Sequence, residues 1–80
     1  MKIRLLVFAQ FRDMAGADEI DLELSDGATA GDVLAELRRD VRWRRLPTTV
    51  AIAVNRTYAP LTALLTEGDE VALIPPVAGG

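Results

Sequence analysis

Eighty residues, 50% of them hydrophobic, make one small domain with a single core and little stability to spare. The chain has no cysteine and no histidine, which excludes disulfides, thiolate nucleophiles, Cys/His metal sites and a base that titrates near neutral pH. A net charge of -3 argues against a nucleic-acid backbone as partner, although five of the nine basic residues, Arg38, Arg39, Arg42, Arg44 and Arg45, gather around Trp43.

Lys2 to Gln10 reads as the first strand. Ile3, Leu5 and Val7 share one face, while Leu6 and Phe8 make the other face apolar, the pattern of a central strand or one covered on both sides. This basic and then apolar start, with Ala15-Gly16-Ala17 after it, imitates a secretion signal. Its apolar run, Leu5 to Ala9, is too short for one, and Arg12 and Asp13 bring charge in soon after it. No stretch approaches the roughly 18 apolar residues of a membrane span, so a soluble cytoplasmic protein is expected. Phe11 to Met14 is placed in a short helical turn ending at Gly16. Ile20, Leu22 and Leu24 then alternate with Asp21 and Glu23 in a half-exposed second strand, closed by Ser25-Asp26-Gly27. Its polar side, Asp18, Glu19, Asp21 and Glu23, suits a sheet edge.

Thr29 and Asp32 have the spacing of a capping box. Ala30, Val33, Leu34, Leu37 and Val41 follow the helical period, so the main helix is expected here, with the arginines near its C-terminal end, where cations are favourable. Trp43 is assigned to covering that end. Arg44 to Thr49 connects to a third strand, Val50 to Val54, with Val50, Ile52 and Val54 facing one way, and Asn55-Arg56 reads as a turn. Leu61 to Leu65 is given one irregular turn that Gly68-Asp69 ends. Glu67, Asp69 and Glu70 are read as a solvated acidic turn, and Val71 to Ile74 forms a final strand that Pro75 stops.

The order strand, strand, helix, strand, short turn, strand predicts an α+β fold: a mixed sheet with one main helix packed on one face and the first and last strands parallel at its centre. That is the β-grasp, or ubiquitin-like, arrangement. The competing ferredoxin-like order needs a second full helix, for which Leu61 to Leu65 is too short. Residues 1–76 are assigned to this domain and 77–80 to a flexible C-terminal tail.

The tail is chemically unusual. Pro75 and Pro76 favour an extended course, and Val77, Ala78, Gly79 and Gly80 add a reach of about 13 Å. The glycines lack Cβ, and an α-carboxyl is ionised at neutral pH, so Gly80 is equipped to enter a narrow active site and attack the α-phosphate of ATP. The plainer alternative is a mobile end with no chemistry. No grouping of carboxylates suggests a metal site.

Phe8-Ala9-Gln10 after the first strand, Ala53-Val54-Asn55 ending the third, and Glu67-Gly68-Asp69-Glu70-Val71 leading into Pro75-Pro76-Val77-Ala78-Gly79-Gly80 together resemble the small, sulfur-carrier subunits of molybdopterin synthase. The resemblance runs over essentially the whole chain, and the Pro-Pro-Val-Ala-Gly-Gly ending is its most specific part. It implies that Gly80 is adenylated by an E1-like adenylyltransferase that uses ATP, and is then converted to a thiocarboxylate. The tail would next enter the large synthase subunit, in a heterotetramer, and give sulfur to a cyclic pyranopterin precursor, building the dithiolene that later holds molybdenum. The chain itself would bind no cofactor and catalyse nothing alone. The same Gly80 chemistry would serve thiamin, thiolated-tRNA or cysteine synthesis. A ubiquitin-like modifier joined through Gly80 to lysines, and a plain interaction domain, also stay open.

If Ile3, Leu5, Val7, Val71 and Leu73 face the helix, then Leu6, Phe8, Ala72 and Ile74 lie on the opposite face. Phe8 and Ile74, extended by Tyr58 from the loop after the third strand, form a candidate partner-docking patch. The alternative is that the loop from Tyr58 to Thr66 folds over this face and buries it. The arginine cluster suits an acidic protein partner better than nucleic acid; neither nucleic acid nor a membrane is expected as a partner.

Overall fold

Alternation decides the first strand: Ile3 and Leu5 are buried and Lys2 and Arg4 exposed along β1, Lys2–Leu6. The computed structural model describes residues 1–75. Pro76, Val77, Ala78, Gly79 and Gly80, and with them the expected domain boundary after residue 76, lie outside the described residues.

Four more strands complete the sheet: β2 at Glu19–Glu23, β3 at Ala51–Val54, β4 at Thr57–Ala59 and β5 at Glu70–Ile74. Their order is β2-β1-β5-β3-β4. β5 lies parallel to β1, with Leu5 opposite Val71, and every other pairing is antiparallel. Two helices, α1 at Ala9–Ala15 and α2 at Ala30–Leu37, are followed by a 3₁₀ turn at Val41–Trp43. This is the β-grasp topology expected from the element order.

One face of the sheet carries the core. Ile3, Leu5, Val7, Val71 and Leu73 are all buried in a cluster with Val33, Leu34, Leu37, Phe11 and Trp43. α2 presents its stripe to that cluster and starts in the capping box: the Asp32 N–H donates to Thr29 Oγ1 at 3.3 Å, and the Thr29 N–H to Asp32 Oδ2 at 2.8 Å. β2 is an outer strand with its charges outward, and Arg4 on β1 pairs with Glu19 at 3.3 Å.

Several expectations are corrected. The first strand ends at Leu6 instead of continuing to Gln10, because the chain turns at Ala9, where φ is +48°, and enters α1 two residues before Phe11. A short helix thus joins the main one, capped at its end by Gly16 with φ +74° and an N–H bonded to the Arg12 carbonyl at 2.8 Å. Val41 does not continue the stripe of α2. The helix stops at Leu37, Val41 is 76% exposed, and the Asp40 carboxylate accepts the Arg42 N–H at 3.0 Å to start the 3₁₀ turn that carries Trp43 into the core. Trp43 is accordingly a core residue, more deeply placed than a cover. Thr57–Ala59 is a strand, not a loop. Asn55 and Arg56 both have positive φ, +50° and +71°, the backbone of a tight hairpin turn, and they fold β4 directly against β3.

Residues 60–65 run beside the start of α2. The Ala30 N–H donates to the Ala63 carbonyl at 2.9 Å, Gly31 to Leu61 at 2.8 Å, and Leu65 to Ala28 at 2.9 Å. Gly31 permits this approach, since a Cβ there would stand 3.2 Å from the Leu61 carbonyl oxygen.

Candidate docking face and tail root

The second face of the sheet is open. Register aligns Leu6, Ala72, Ala53 and Tyr58 as a row across β1, β5, β3 and β4. Two alanines floor the middle of that row while larger side chains stand at its ends, and the outcome is a hollow of about 340 Å³. Leu6, Phe8, Tyr58 and Ile74 wall it with apolar surface, and Arg56 and Glu70 supply a charged side. Thus Phe8, Tyr58 and Ile74, singled out from the sequence, come together on one surface. Phe8 is 48% and Tyr58 73% exposed. The segment 60–65 does not cover them, since its backbone is engaged by Ala28, Ala30 and Gly31 at the head of α2.

Phe8 occupies the N-cap of α1, extended at φ -130° and ψ 160°, yet supplies no side-chain cap. Ser, Thr, Asp or Asn would serve the helix better there. An aromatic in that position adds exposed apolar surface at the expense of helix stability.

A second hollow, of about 530 Å³, adjoins the first and shares Tyr58 and Ile74 with it. Thr48, Thr49, Val50, Ala51, Leu61 and Pro75 complete it. Its position follows from register: Ala51 opens β3 directly opposite Ile74, the last residue of β5. Pro75 leaves the sheet at this point, so the root of the C-terminal segment is set in apolar surface on the docking side. Leu61, which is 49% exposed, and Ala53, the part of the floor that β3 supplies, escaped the sequence reading. The alternation of Ala51 and Ala53 against Val50, Ile52 and Val54 was the signal that carried the floor.

The acidic turn has structural work at the opposite end of the sheet. Asp69 accepts the Thr66 N–H at 2.8 Å, the Thr66 hydroxyl at 3.1 Å and an Asn55 amide N–H at 3.0 Å. The Thr66 backbone donor, then the Asn55 side chain, hold its carboxyl below the usual carboxylate range, slight desolvation opposing them and the Thr66 hydroxyl assisting. Glu67 accepts the Lys2 N–H at 2.9 Å, and Glu70 pairs with Arg4 at 3.2 Å. These residues fasten the starts of β1 and β5, so solvation alone does not describe them. Among the described residues, no three carboxylates converge on a metal position and no helix is long and apolar enough to cross a membrane. Gly80 and the rest of the tail beyond Pro75 lie outside the described residues.

A model of the ThiS family matches residues 5–80. The chain is 39% identical over 83 residues to a molybdopterin synthase sulfur carrier subunit of Chlamydomonas reinhardtii, covering 100% of both. It is 33% identical to small archaeal modifier protein 3 of Haloferax volcanii, again over 100% of both chains. Among solved structures it resembles a putative molybdopterin converting factor subunit 1 from Pyrococcus furiosus, with a TM-score of 0.83 and 33% identity over 96% of this chain and 99% of that one.

Proposed function

Because the chain belongs to the ThiS family, we propose that it is the sulfur carrier subunit of a molybdopterin synthase, acting in the cytoplasm in molybdenum cofactor biosynthesis. The observation that carries this reading is the reach of the family match, which extends to residue 80 and so includes Gly79 and Gly80. The relatives named as sulfur carrier subunits support the same assignment.

In this reading the Gly80 carboxylate attacks the α-phosphate of ATP on an E1-like enzyme, and pyrophosphate leaves. The acyl adenylate is a mixed anhydride, so a sulfur donor displaces AMP and leaves a thiocarboxylate. That sulfur then passes to the pyranopterin precursor in the large synthase subunit. The carrier needs no acid, base or thiol of its own, in keeping with a sequence that has no histidine or cysteine; ATP-binding and proton-transferring groups belong to its partners. Phe8, Tyr58 and Ile74 dock the large subunit. β5 delivers Pro75 at the edge of that surface, and the partner receives the residues that follow it.

Intact mass after incubation with the cognate E1-like enzyme, ATP and a sulfur source tests the chemistry. A gain equal to exchanging one oxygen for sulfur is expected, absent from a chain lacking Gly80; no gain with an active enzyme overturns the reading. The likeness to an archaeal modifier protein favours one second reading, a protein modifier joined through Gly80. Stable conjugates on lysines in cell extract would assign it.

A further inference from the structure

Charge in this chain is divided unevenly. Between Arg38 and Arg45 stand five of the nine basic residues and one of the twelve acidic residues, leaving four against eleven elsewhere. The acidic groups Glu67, Asp69 and Glu70 lie at the starts of β1 and β5. The basic segment lies at the other end. It follows the C-terminus of α2 and its 3₁₀ turn packs on α1, with Arg42 Nη1 donating to the Ala15 carbonyl at 3.4 Å. From there the chain leads to Ala51, opposite Ile74. Thr48, which lines the hollow at the tail root, is three residues beyond Arg45, so their Cα atoms are at most about 11 Å apart.

Within the segment the arginines divide by role. Arg38 donates to the Pro47 carbonyl at 2.6 Å, bracing the connection, and Arg42 pairs with Asp40 at 3.2 Å. Arg39 reaches Glu36 at 3.5 Å. Arg44 and Arg45 are exposed and have no acidic partner among the described residues. They are held in place all the same, because Trp43 and Leu46 on either side are buried in the core. Two adjacent cations thus follow buried anchors toward the exit of the C-terminal segment; of the acidic groups at this end, Asp18 pairs with Arg12 at 3.5 Å and Glu19 with Arg4 at 3.3 Å.

We propose that Arg44 and Arg45 form a docking and steering surface for an acidic protein surface that borders the channel receiving the C-terminal segment. The inference rests on the carrier reading above and adds to it the chemistry of the partner's rim. Nucleic acid is the less suited partner, since its repeated phosphates would meet the acidic remainder of the chain as well as these cations. An acidic rim is drawn to the end where Arg44 and Arg45 stand unpaired among the described residues, and so turns the carrier tail-first during approach. Charge of this kind acts mainly on association rate and fades as salt rises.

The test uses the full chain and the doubly substituted R44Q/R45Q, with Lys2→Glu as a control that changes net charge equally from the far end of β1. Neither Arg44 nor Arg45 makes an ion pair among the described residues, so thermal unfolding of the double variant should match the parent. Association with the large synthase subunit and with the E1-like enzyme is measured by stopped flow at low salt and at about 0.5 M salt. The proposal expects R44Q/R45Q to associate about tenfold more slowly than the parent with at least one of them at low salt, to converge with it at high salt, and to lose more than the control does. Equal rates for parent and double variant with both partners, or an equal loss in the control, overturn it while leaving the carrier reading standing. Failure of the parent to bind either partner overturns the carrier reading and this inference with it. Salt-sensitive binding of a tRNA probe by the parent, lost in R44Q/R45Q while protein association is unchanged, reassigns the two arginines and also overturns it.

Discussion

Asn55 and Asp69 tie the β3–β4 turn to the residue that precedes β5: Asn55 Nδ2 donates to Asp69 Oδ1 at 3.0 Å, while Asn55 Oδ1 accepts the Glu70 N–H at 3.0 Å. One side chain therefore fixes the hairpin turn that places Tyr58 and the point where β5 enters the sheet. Asn also tolerates the left-handed backbone found there, at φ +50°. Asn55→Ala removes both bonds and the conformational preference, and should cost about 1–3 kcal/mol. Asn55→Gly keeps the backbone and loses only the bonds. Urea unfolding should rank the three Asn, Gly, Ala from most to least stable; Gly and Ala falling together would assign the effect to the hydrogen bonds alone.

The depressed Asp69 carboxyl makes a prediction about acid. Its folded pKa lies below its unfolded value, so the fold favours the charged form. The resulting stability is complete above the ordinary carboxylate pKa of about 4, and it is lost as pH falls through the folded value. Asp69→Asn should therefore be less stable than the parent at pH 7, by a margin that shrinks as pH falls below about 4. A margin that stays constant between neutral and acid pH would mean that the carboxylate charge contributes nothing.

Phe8→Asp separates folding from docking. Asp caps a helix that now has no side-chain cap, worth about 0.5–1 kcal/mol, and removes an aromatic from the open face. Melting temperature should hold or rise, while affinity for the large subunit falls at least about tenfold. If affinity and stability drop together, Phe8 acts through folding and the docking face must be sought elsewhere.

Trp43 and Val41 give a paired test of the core. Trp43 is 2% exposed, and Trp43→Ala should cost about 3–5 kcal/mol, much of the stability of a small domain. Val41→Lys, at a position 76% exposed, should change it by no more than about 0.5 kcal/mol. A large loss at Val41 would return that residue to the helix stripe.

That pair also marks where the sequence stopped being legible. Period and capping chemistry located α2 correctly, because Thr29 and Asp32 complete their box within four residues and the stripe needs no distant contact. What ends the helix is tertiary: the core has room for Trp43, and Asp40 starts a tighter turn that delivers it. β4 was missed for a related reason. Three residues are too few to display an alternation, and its turn is built from Asn55-Arg56, without the glycine that usually announces such a hairpin. The parallel pairing of β1 and β5 was readable from the element order and from Leu6, Phe8, Ala72 and Ile74, which the sequence places on a second apolar face at the centre of the sheet. Phe8, Tyr58 and Ile74 were found because each is large and apolar. Of the alanines between them, the sequence places Ala72 on that face, while Ala53 went unnoticed, since a hollow is made by what is small.

β5 is the strand that joins the two halves of the sheet, with β1 on one side and β3 on the other. Without it, the described sheet divides into two hairpins, β1 with β2 and β3 with β4. Neither suffices for stability on its own. A copy in which β5 is detached therefore lacks the row of Leu6, Ala72, Ala53 and Tyr58. The open-face row and the sheet that frames it thus stand or fall with the same five residues, Glu70–Ile74.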